Sequence, residues 1–132
     1  MTNTFWSYQS LDKVFFCNFN SVYARLSIFV CLFFRLSRYS RAFSFDLILT
    51  SETIYNTYHY SHLLEIFDHA LTRNGRILLA AKVNYFGVGG GLRQFEAALN
   101  DANKKHLKWA FRTVKIIDEN VKREILEIKR TE

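Results

Sequence analysis

The chain has 132 residues, which is room for one domain with one modest core. Hydrophobic residues make up 49% and charged residues 23%, so the composition excludes a disordered chain and indicates a globular one. The net charge of +6 favours acidic partners, nucleic acid included, without identifying one. The two cysteines, Cys17 and Cys31, form neither a disulfide framework nor a metal-binding spacing, and we interpret them as intracellular thiols.

The first third of the chain differs in character from the rest. Residues 1–44 are rich in Phe, Tyr, Ser and Arg and have no clear caps or period, so we predict an irregular or helical segment, with one or two helices around residues 22–34. The apolar run at 26–34 is shorter than the roughly 20 residues that a membrane span needs, and we keep a membrane anchor only as a minor alternative. The N-terminus lacks the basic start and apolar stretch of a signal peptide.

Residues 45–82 have the pattern of a βαβ unit. The apolar run 45–50 does not alternate with polar residues, which is typical of a strand buried on both faces. A polar turn at 51–56 precedes a helix predicted over 58–72, which Asn74-Gly75 ends with glycine in the left-handed conformation. A second buried strand is predicted at 76–82, parallel to the first.

A glycine-rich loop follows the second strand. It cannot be the dinucleotide fingerprint G-x-G-x-x-G, because the third glycine would fall at Leu92. The loop opens an amphipathic helix predicted to end near Asn103. Residues 109–117 and 121–130 are β-prone and are joined by Asp118-Glu119-Asn120, which predicts a hairpin.

Three motifs resemble the histidine protein methyltransferases, a family that uses S-adenosylmethionine. The similarity runs from about Phe45 to the C-terminus, roughly two thirds of the chain. The motifs are the strand and turn Phe45-Asp46-Leu47-Ile48-Leu49-Thr50-Ser51-Glu52-Thr53-Ile54-Tyr55-Asn56, the loop Asn84-Tyr85-Phe86-Gly87-Val88-Gly89-Gly90-Gly91 and the hairpin Lys115-Ile116-Ile117-Asp118-Glu119.

The resemblance implies an α/β fold, the C-terminal half of a Rossmann-like methyltransferase sheet, with two parallel strands and an antiparallel hairpin. On the seven-strand template, residues 45–50 are the fourth strand and 76–82 the fifth, so the expected order is fourth, fifth, seventh, sixth. We therefore divide the chain into an N-terminal segment, residues 1–44, and a partial methyltransferase domain, residues 45–132. The chain would then be truncated and inactive as it stands.

The sequence departs from the family pattern in two places. Thr57 stands where the family usually has proline, which costs only turn rigidity. No glycine precedes Gly75, so the glycine turn that would cradle the methionine end of the cofactor is absent, as is the acidic residue expected to bind its ribose. If residues 45–50 lose their upstream neighbours, they become an apolar edge strand, and an isolated chain would be poorly soluble or oligomeric.

The matched positions imply a site at the carboxyl ends of the strands, where doubly wound sheets bind ligands. A group that accepts one ring N–H of an imidazole fixes which nitrogen attacks. Glu52 and Asn56 are candidates for this role, and Tyr55 would pack on the flat ring; these three are the predicted catalytic residues. Ser51 and Glu52 are predicted to border the cofactor. Substrate binding is assigned to the loop: Asn84, Tyr85, Phe86, Gly87, Gly89 and Gly90.

The resemblance implies protein substrates, among them a large-subunit ribosomal protein, and a cytoplasmic or nuclear location. No metal site is predicted, because the four histidines have no metal-binding constellation. The basic residues toward the C-terminus form either a solvated face or a weak contact to ribosomal RNA; they are Lys104, Lys105, Lys108, Arg112, Lys122, Arg123, Lys129 and Arg130. The class that competes with an enzyme is a catalytically dead fragment or interaction module.

Overall fold

The computed structural model describes residues 14–18, 45–87, 89–106 and 109–131. These residues form one sheet of five strands and two α-helices, with a three-residue 3₁₀ helix, Thr57–His59, before the first helix. The strands are β1 (Val14–Asn18), β2 (Phe45–Ser51), β3 (Leu71–Lys82), β4 (Trp109–Asp118) and β5 (Lys122–Arg130), and the helices are α1 (Tyr60–Ala70) and α2 (Leu92–Lys105).

The sheet has the strand order β1-β2-β3-β5-β4. The first three strands are parallel, whereas β5 is antiparallel to both β3 and β4. The predicted order of fourth, fifth, seventh and sixth strand is therefore confirmed, as are the two helices and the closing hairpin. The described sheet thus has the two parallel strands and the antiparallel hairpin that the resemblance implies, with β1 as a further parallel strand beside β2.

The core lies on one face of the sheet, beneath the two helices. Side chains that are in register across the strands, such as Ile48, Ile77 and Ile128, are buried on this face. They form one cluster with buried residues of both helices, including Phe67 and Phe95. The apolar spacing of Leu63, Leu64, Phe67 and Leu71 predicts a buried helical stripe, and all four side chains are buried. Leu71, however, lies in β3, because the helix ends at Ala70.

The junction between α1 and β3 differs from the prediction. The helix ends at Ala70 rather than near residue 72, and β3 begins at Leu71, with an irregularity between the pairs Phe45↔Leu71 and Leu47↔Arg76. Gly75 is absent from the residues with positive φ, so the predicted left-handed cap is wrong. The space there is tight: a Cβ would lie 2.6 Å from Leu71 Cδ1 and 3.0 Å from the Asp46 carbonyl oxygen, so neighbouring atoms would have to shift.

Residues 14–18 lie in the segment predicted to be irregular or helical, yet they form β1. This strand pairs in parallel with β2, from Val14↔Leu47 to Asn18↔Ser51. Since β2 is thus paired on both sides, the expectation that it is an edge strand is wrong. The helices predicted around residues 22–34, and the apolar run at 26–34, lie outside the described residues. Among the described residues no helix is long and apolar enough to cross a membrane.

Candidate active site at the carboxyl ends of β2 and β3

Two connections meet at the carboxyl ends of β2 and β3. The Glu52 turn, residues 52–56, follows β2, and the glycine loop, residues 83–91, follows β3. Because the two strands are parallel neighbours, both connections emerge at the same edge of the sheet. Asn18 ends β1 opposite Ser51, so this edge also includes the end of a third parallel strand.

Glu52 holds an unusual backbone conformation directly after β2. Its φ of 57° is the only positive value among the described non-glycine residues. A non-glycine residue pays of order 1 kcal/mol for this region, and such a residue persists where its surroundings fix it. Here the Glu52 N–H donates to the Ala80 carbonyl at 3.0 Å, which ties the turn to β3.

The Glu52 carboxylate is fixed at both oxygens. The Tyr85 hydroxyl donates to Oε2 at 2.8 Å. The Arg123 Nε–H donates to Oε1 at 3.4 Å, and the two side chains form an ion pair. The Glu52 side chain remains 25% exposed, so it is partly open to solvent. The side chain thus stands oriented and partly exposed at the carboxyl ends of the strands.

Tyr85 links the glycine loop to the Glu52 turn. Its hydroxyl accepts a hydrogen bond from the Lys82 backbone N–H at 3.2 Å while it donates to Glu52. Burial raises the pKa of Tyr85, and the neighbouring Glu52 carboxylate raises it further against the opposing Lys82 N–H and Arg123 charge. The phenol therefore keeps its proton near neutral pH and remains a donor.

The glycine loop packs so closely on the Glu52 turn that it tolerates no side chain at Gly90. A Cβ there would lie 2.2 Å from the Tyr55 carbonyl oxygen and 2.6 Å from that of Ile54. The Tyr85 N–H donates to the Gly90 carbonyl at 3.0 Å and closes the base of the loop. Phe86, at the tip, is 95% exposed. Gly87 and Gly89 have φ values of +82° and +81°, and a Cβ would meet nothing within 4 Å at either.

The side chain of Tyr60, the first residue of α1, forms hydrogen bonds with both the Glu52 turn and the glycine loop. Its buried hydroxyl donates to the Ile54 carbonyl at 2.7 Å and accepts the Gly91 N–H at 3.0 Å. Its ring packs edge-on against Phe95, with centroids 5.1 Å apart. Sequence reasoning missed Tyr60, because a tyrosine at a helix start gives no sign that its hydroxyl reaches a loop 31 positions away.

The structure brings some of the predicted site residues together and sets others apart. Glu52 and Tyr85 are in direct contact, and Gly90 lies against the Tyr55 backbone. The Tyr55 side chain is buried in the core. Asn56 uses its side-chain oxygen to accept the Tyr58 N–H at 3.0 Å, which caps the 3₁₀ helix. Ser51 is half-buried as the last residue of β2, and Asn84 is exposed.

Arg123 is the second residue that the sequence did not assign to the site. It was grouped with the basic residues toward the C-terminus, several of which are paired with carboxylates. Arg112 and Lys129 contact Glu127, Arg130 contacts Asp68, and Lys104 contacts Asp101. Within the described part of the chain, no cluster of three or more His, Cys, Asp or Glu side chains could hold a metal ion.

The sequence of the chain is similar to proteins that are named as histidine methyltransferases. Histidine protein methyltransferase 1 homologs from Mus musculus and Rattus norvegicus are each 48% identical to the chain over 84 residues, which is 64% of this chain and 22% of each relative. The homolog from Dictyostelium discoideum is 44% identical over 84 residues, 64% of this chain and 26% of that protein. The resemblance to the histidine protein methyltransferases is therefore confirmed, and the chain spans about a fifth to a quarter of the length of these curated relatives.

A scan of protein-family models finds no match to the chain. A solved structure of a SAM-dependent methyltransferase from Leishmania major is 20% identical, with a TM-score of 0.43, over 67% of this chain and 39% of that one. This last likeness is too distant to support any argument about the chain.

Proposed function

We propose that the chain carries the acceptor side of an S-adenosylmethionine-dependent protein-histidine N-methyltransferase. Support comes from the relatives named histidine protein methyltransferase 1 homolog and from the geometry of Glu52. On this proposal the substrate is a histidine in a protein, a ribosomal protein among the candidates, and the enzyme works in the cytoplasm or nucleus. A weak contact of the basic C-terminal region with ribosomal RNA belongs to the same proposal.

The observation that carries the proposal is the fixed carboxylate of Glu52, on a side chain that is partly exposed. A neutral imidazole has one N–H and one lone pair, and its ordinary pKa of about 6.5 leaves it neutral above pH 7. When Glu52 accepts the N–H, the other nitrogen presents its lone pair outward. The Glu52 carboxylate would also favour a positively charged imidazole ring beside it. Asn56 is the weaker candidate, since its side-chain oxygen already caps the 3₁₀ helix.

The residues of this chain do not fit the methionine end of the cofactor. A glycine turn would have to follow β1, and the residues that follow Asn18 are Phe19, Asn20 and Ser21, with no glycine before Gly75. S-adenosylmethionine, the methyl donor in the resembling family, would supply the electrophilic methyl group. The role of this chain is confined to holding and orienting the imidazole.

The test uses N-acetylhistidine methylamide as a probe for the 132-residue chain. Backbone amide signals of the labelled protein are followed by NMR at about pH 8.5, where an imidazole of ordinary pKa is neutral. The matched control is the same compound methylated on one ring nitrogen, which is neutral but has no ring N–H. We expect saturable shifts at Glu52 and Tyr85 with the unmethylated probe and several-fold weaker ones with the control.

Equal responses to the two probes, or none at these residues, would contradict the assignment of Glu52 as the imidazole acceptor. A response spread over distant surfaces would likewise count against it, because the site predicts shifts confined to the Glu52 turn and the glycine loop.

The second candidate is an interaction module without catalytic activity. It is favoured by β1, which pairs with β2 from Leu47 to Ser51 and so makes most of β2 an interior strand. The histidine-probe titration separates the two: N–H-selective shifts at Glu52 and Tyr85 support the acceptor site, and their absence supports the module. Calorimetry with S-adenosylmethionine should show very weak or no binding in either case. Micromolar affinity, about −8 kcal/mol, would show that the chain holds the cofactor itself and would overturn the module.

A further inference from the structure

We propose that Arg123, together with Tyr85, is a positioning residue that aims the Glu52 carboxylate at the acceptor imidazole. The inference rests on the proposed function and adds to it a residue 71 positions away from Glu52 along the chain. It concerns orientation, since neither Arg123 nor Tyr85 is required to touch the reacting nitrogen.

The first argument is the division of contacts between the two carboxylate oxygens. Tyr85 engages Oε2 at 2.8 Å and Arg123 engages Oε1 at 3.4 Å. An ionised carboxylate offers about four lone-pair directions, so two contacts leave capacity for a third donor. Because Tyr85 and Arg123 each bind a different oxygen, together they fix the plane of the Glu52 carboxylate. A single partner would leave the carboxylate free to rotate.

The second argument is that the sheet itself places Arg123. In the β3–β5 ladder Arg123 lies opposite Lys82, the last residue of β3. The Val83 N–H donates to the Lys122 carbonyl at 3.2 Å, which extends the pairing to the start of the glycine loop. Arg123 therefore reaches Glu52 across the end of β3, from a strand that is antiparallel and rigidly paired on both sides.

The third argument is energetic. The Arg123 side chain is 42% exposed, and ion pairs at such exposure contribute little to folding stability. A glutamate side chain has several rotatable bonds, and a free one would lose that freedom when it bound a ligand. Contacts that fix it beforehand lower this cost and improve binding. The effect of Arg123 should accordingly appear in ligand affinity more than in unfolding.

The experiment titrates N-acetylhistidine methylamide and its ring-methylated control into Arg123→Gln, Arg123→Lys and Tyr85→Phe variants of the full chain. The matched control variant is Arg112→Gln. Arg112 lies on β4, and its Nε–H donates to Glu127 Oε1 at 3.1 Å. The Arg112→Gln substitution therefore removes an equivalent arginine–carboxylate contact elsewhere on the hairpin.

We expect Arg123→Gln and Tyr85→Phe each to lower the association constant for the unmethylated probe about threefold or more, the scale of coupling within one hydrogen-bond network. Arg123→Lys, which keeps a donor and a charge, should lose less than Arg123→Gln. Arg112→Gln should bind as the wild type does. The amide spectrum of each variant reports whether the fold is kept.

Wild-type affinity in a folded Arg123→Gln variant would overturn the positioning role and leave Glu52 as acceptor intact. Equal losses in Arg123→Gln and Arg112→Gln would overturn it too, because they would reveal a general effect of charge. Failure of the wild-type chain to prefer the unmethylated probe would instead remove the proposed function and this inference with it.

Discussion

At the scale of single residues, adjacent glycines in the loop carry different constraints. A Cβ at Gly90 would overlap the Tyr55 and Ile54 carbonyls. A Cβ at Gly89 would have nothing within 4 Å, and the constraint there is the backbone φ of +81°. We expect Gly89→Ala to cost about 1 kcal/mol of unfolding free energy, from backbone strain alone. Gly90→Ala should cost clearly more, because backbone must move. Urea unfolding measures both, and equal costs would contradict the close packing of the loop on the turn.

Tyr60 offers a test of the contact that joins the two connections. Tyr60→Phe keeps the ring against Phe95 but leaves the buried Gly91 N–H without its oxygen. An unsatisfied buried group costs about 1–3 kcal/mol, and we expect a loss of that size in unfolding free energy. Tyr58→Phe is the control, since Tyr58 is 76% exposed. Similar stabilities for the two variants would argue against the Tyr60 contacts.

His59 predicts a pH dependence of stability. Burial lowers the pKa of this 7% exposed side chain below its ordinary value, and the charge of His62 lowers it further. The unfolded state then binds more protons, so stability is present above about pH 6.5 and falls as the pH decreases through that value. Unfolding free energies at about pH 7.5 and 5.5 should show the decline, and His59→Gln should reduce it.

The matched control is His106→Gln, because His106 is exposed and its substitution should leave the decline unchanged.

Glu127 affects stability in a different range of pH. Burial opposes its charge, but Arg112, Lys129 and Arg76 together hold the pKa of Glu127 below its usual value. Its contribution is therefore lost only below about pH 4.5. If His59→Gln leaves the loss of stability between about pH 7.5 and 5.5 intact, that loss cannot be assigned to His59.

The sequence predicts where an individual residue lies only when its position follows from neighbouring segments of the chain. Glu52 was assigned to the sheet edge because it directly follows a buried strand, and Tyr85 because the loop follows the next one. Tyr60 and Arg123 were missed, since their contacts span 31 and 71 positions and depend on strand pairing. The role of Asn56 as a site residue stays a prediction, and its side chain also caps the 3₁₀ helix, as an asparagine just before a helical turn commonly does.

At the scale of elements, β1 decides whether β2 is interior or exposed. Because β2 is paired on both sides from residue 47, the amides of residues 47–50 should exchange with solvent nearly as slowly as those in the centre of β3. Deletion of residues 1–18 should leave β2 as an edge strand, speed the exchange of its amides and promote oligomers detectable by size-exclusion chromatography. Rapid exchange at 47–50 in the intact chain, with β3 protected, would mean that β1 does not pair in solution.

The elements that sequence patterns predicted are those with strong periodicity or continuous apolar runs. Residues 45–50, 76–82 and the final hairpin were assigned correctly, and both helices were located within a few positions. β1 was not predicted, because Val14 to Asn18 are embedded in a segment that has no clear caps or period and whose aromatic residues continue on both sides. Its place in the sheet is set by pairing with β2, which composition does not reveal.

At the scale of the whole molecule, the proposed function gives this chain one task, the orientation of the acceptor. The described sheet places an oriented carboxylate, a loop with an exposed aromatic tip and a supporting arginine at the carboxyl ends of its strands. The residues that follow β1 supply no glycine turn for the methyl donor. On this proposal, acceptor orientation and cofactor binding are separable properties, and the first can be measured in this chain without the second.

The most direct measurement of the central claim is the histidine-probe titration of Glu52→Gln beside the wild-type chain. The substitution keeps the shape of the side chain and removes its charge, so the association constant for N-acetylhistidine methylamide should fall about threefold or more. Glu96→Gln, which alters a carboxylate paired with Arg93 on α2, should change nothing. Undiminished and still N–H-selective binding by Glu52→Gln would contradict the claim that Glu52 receives the acceptor histidine.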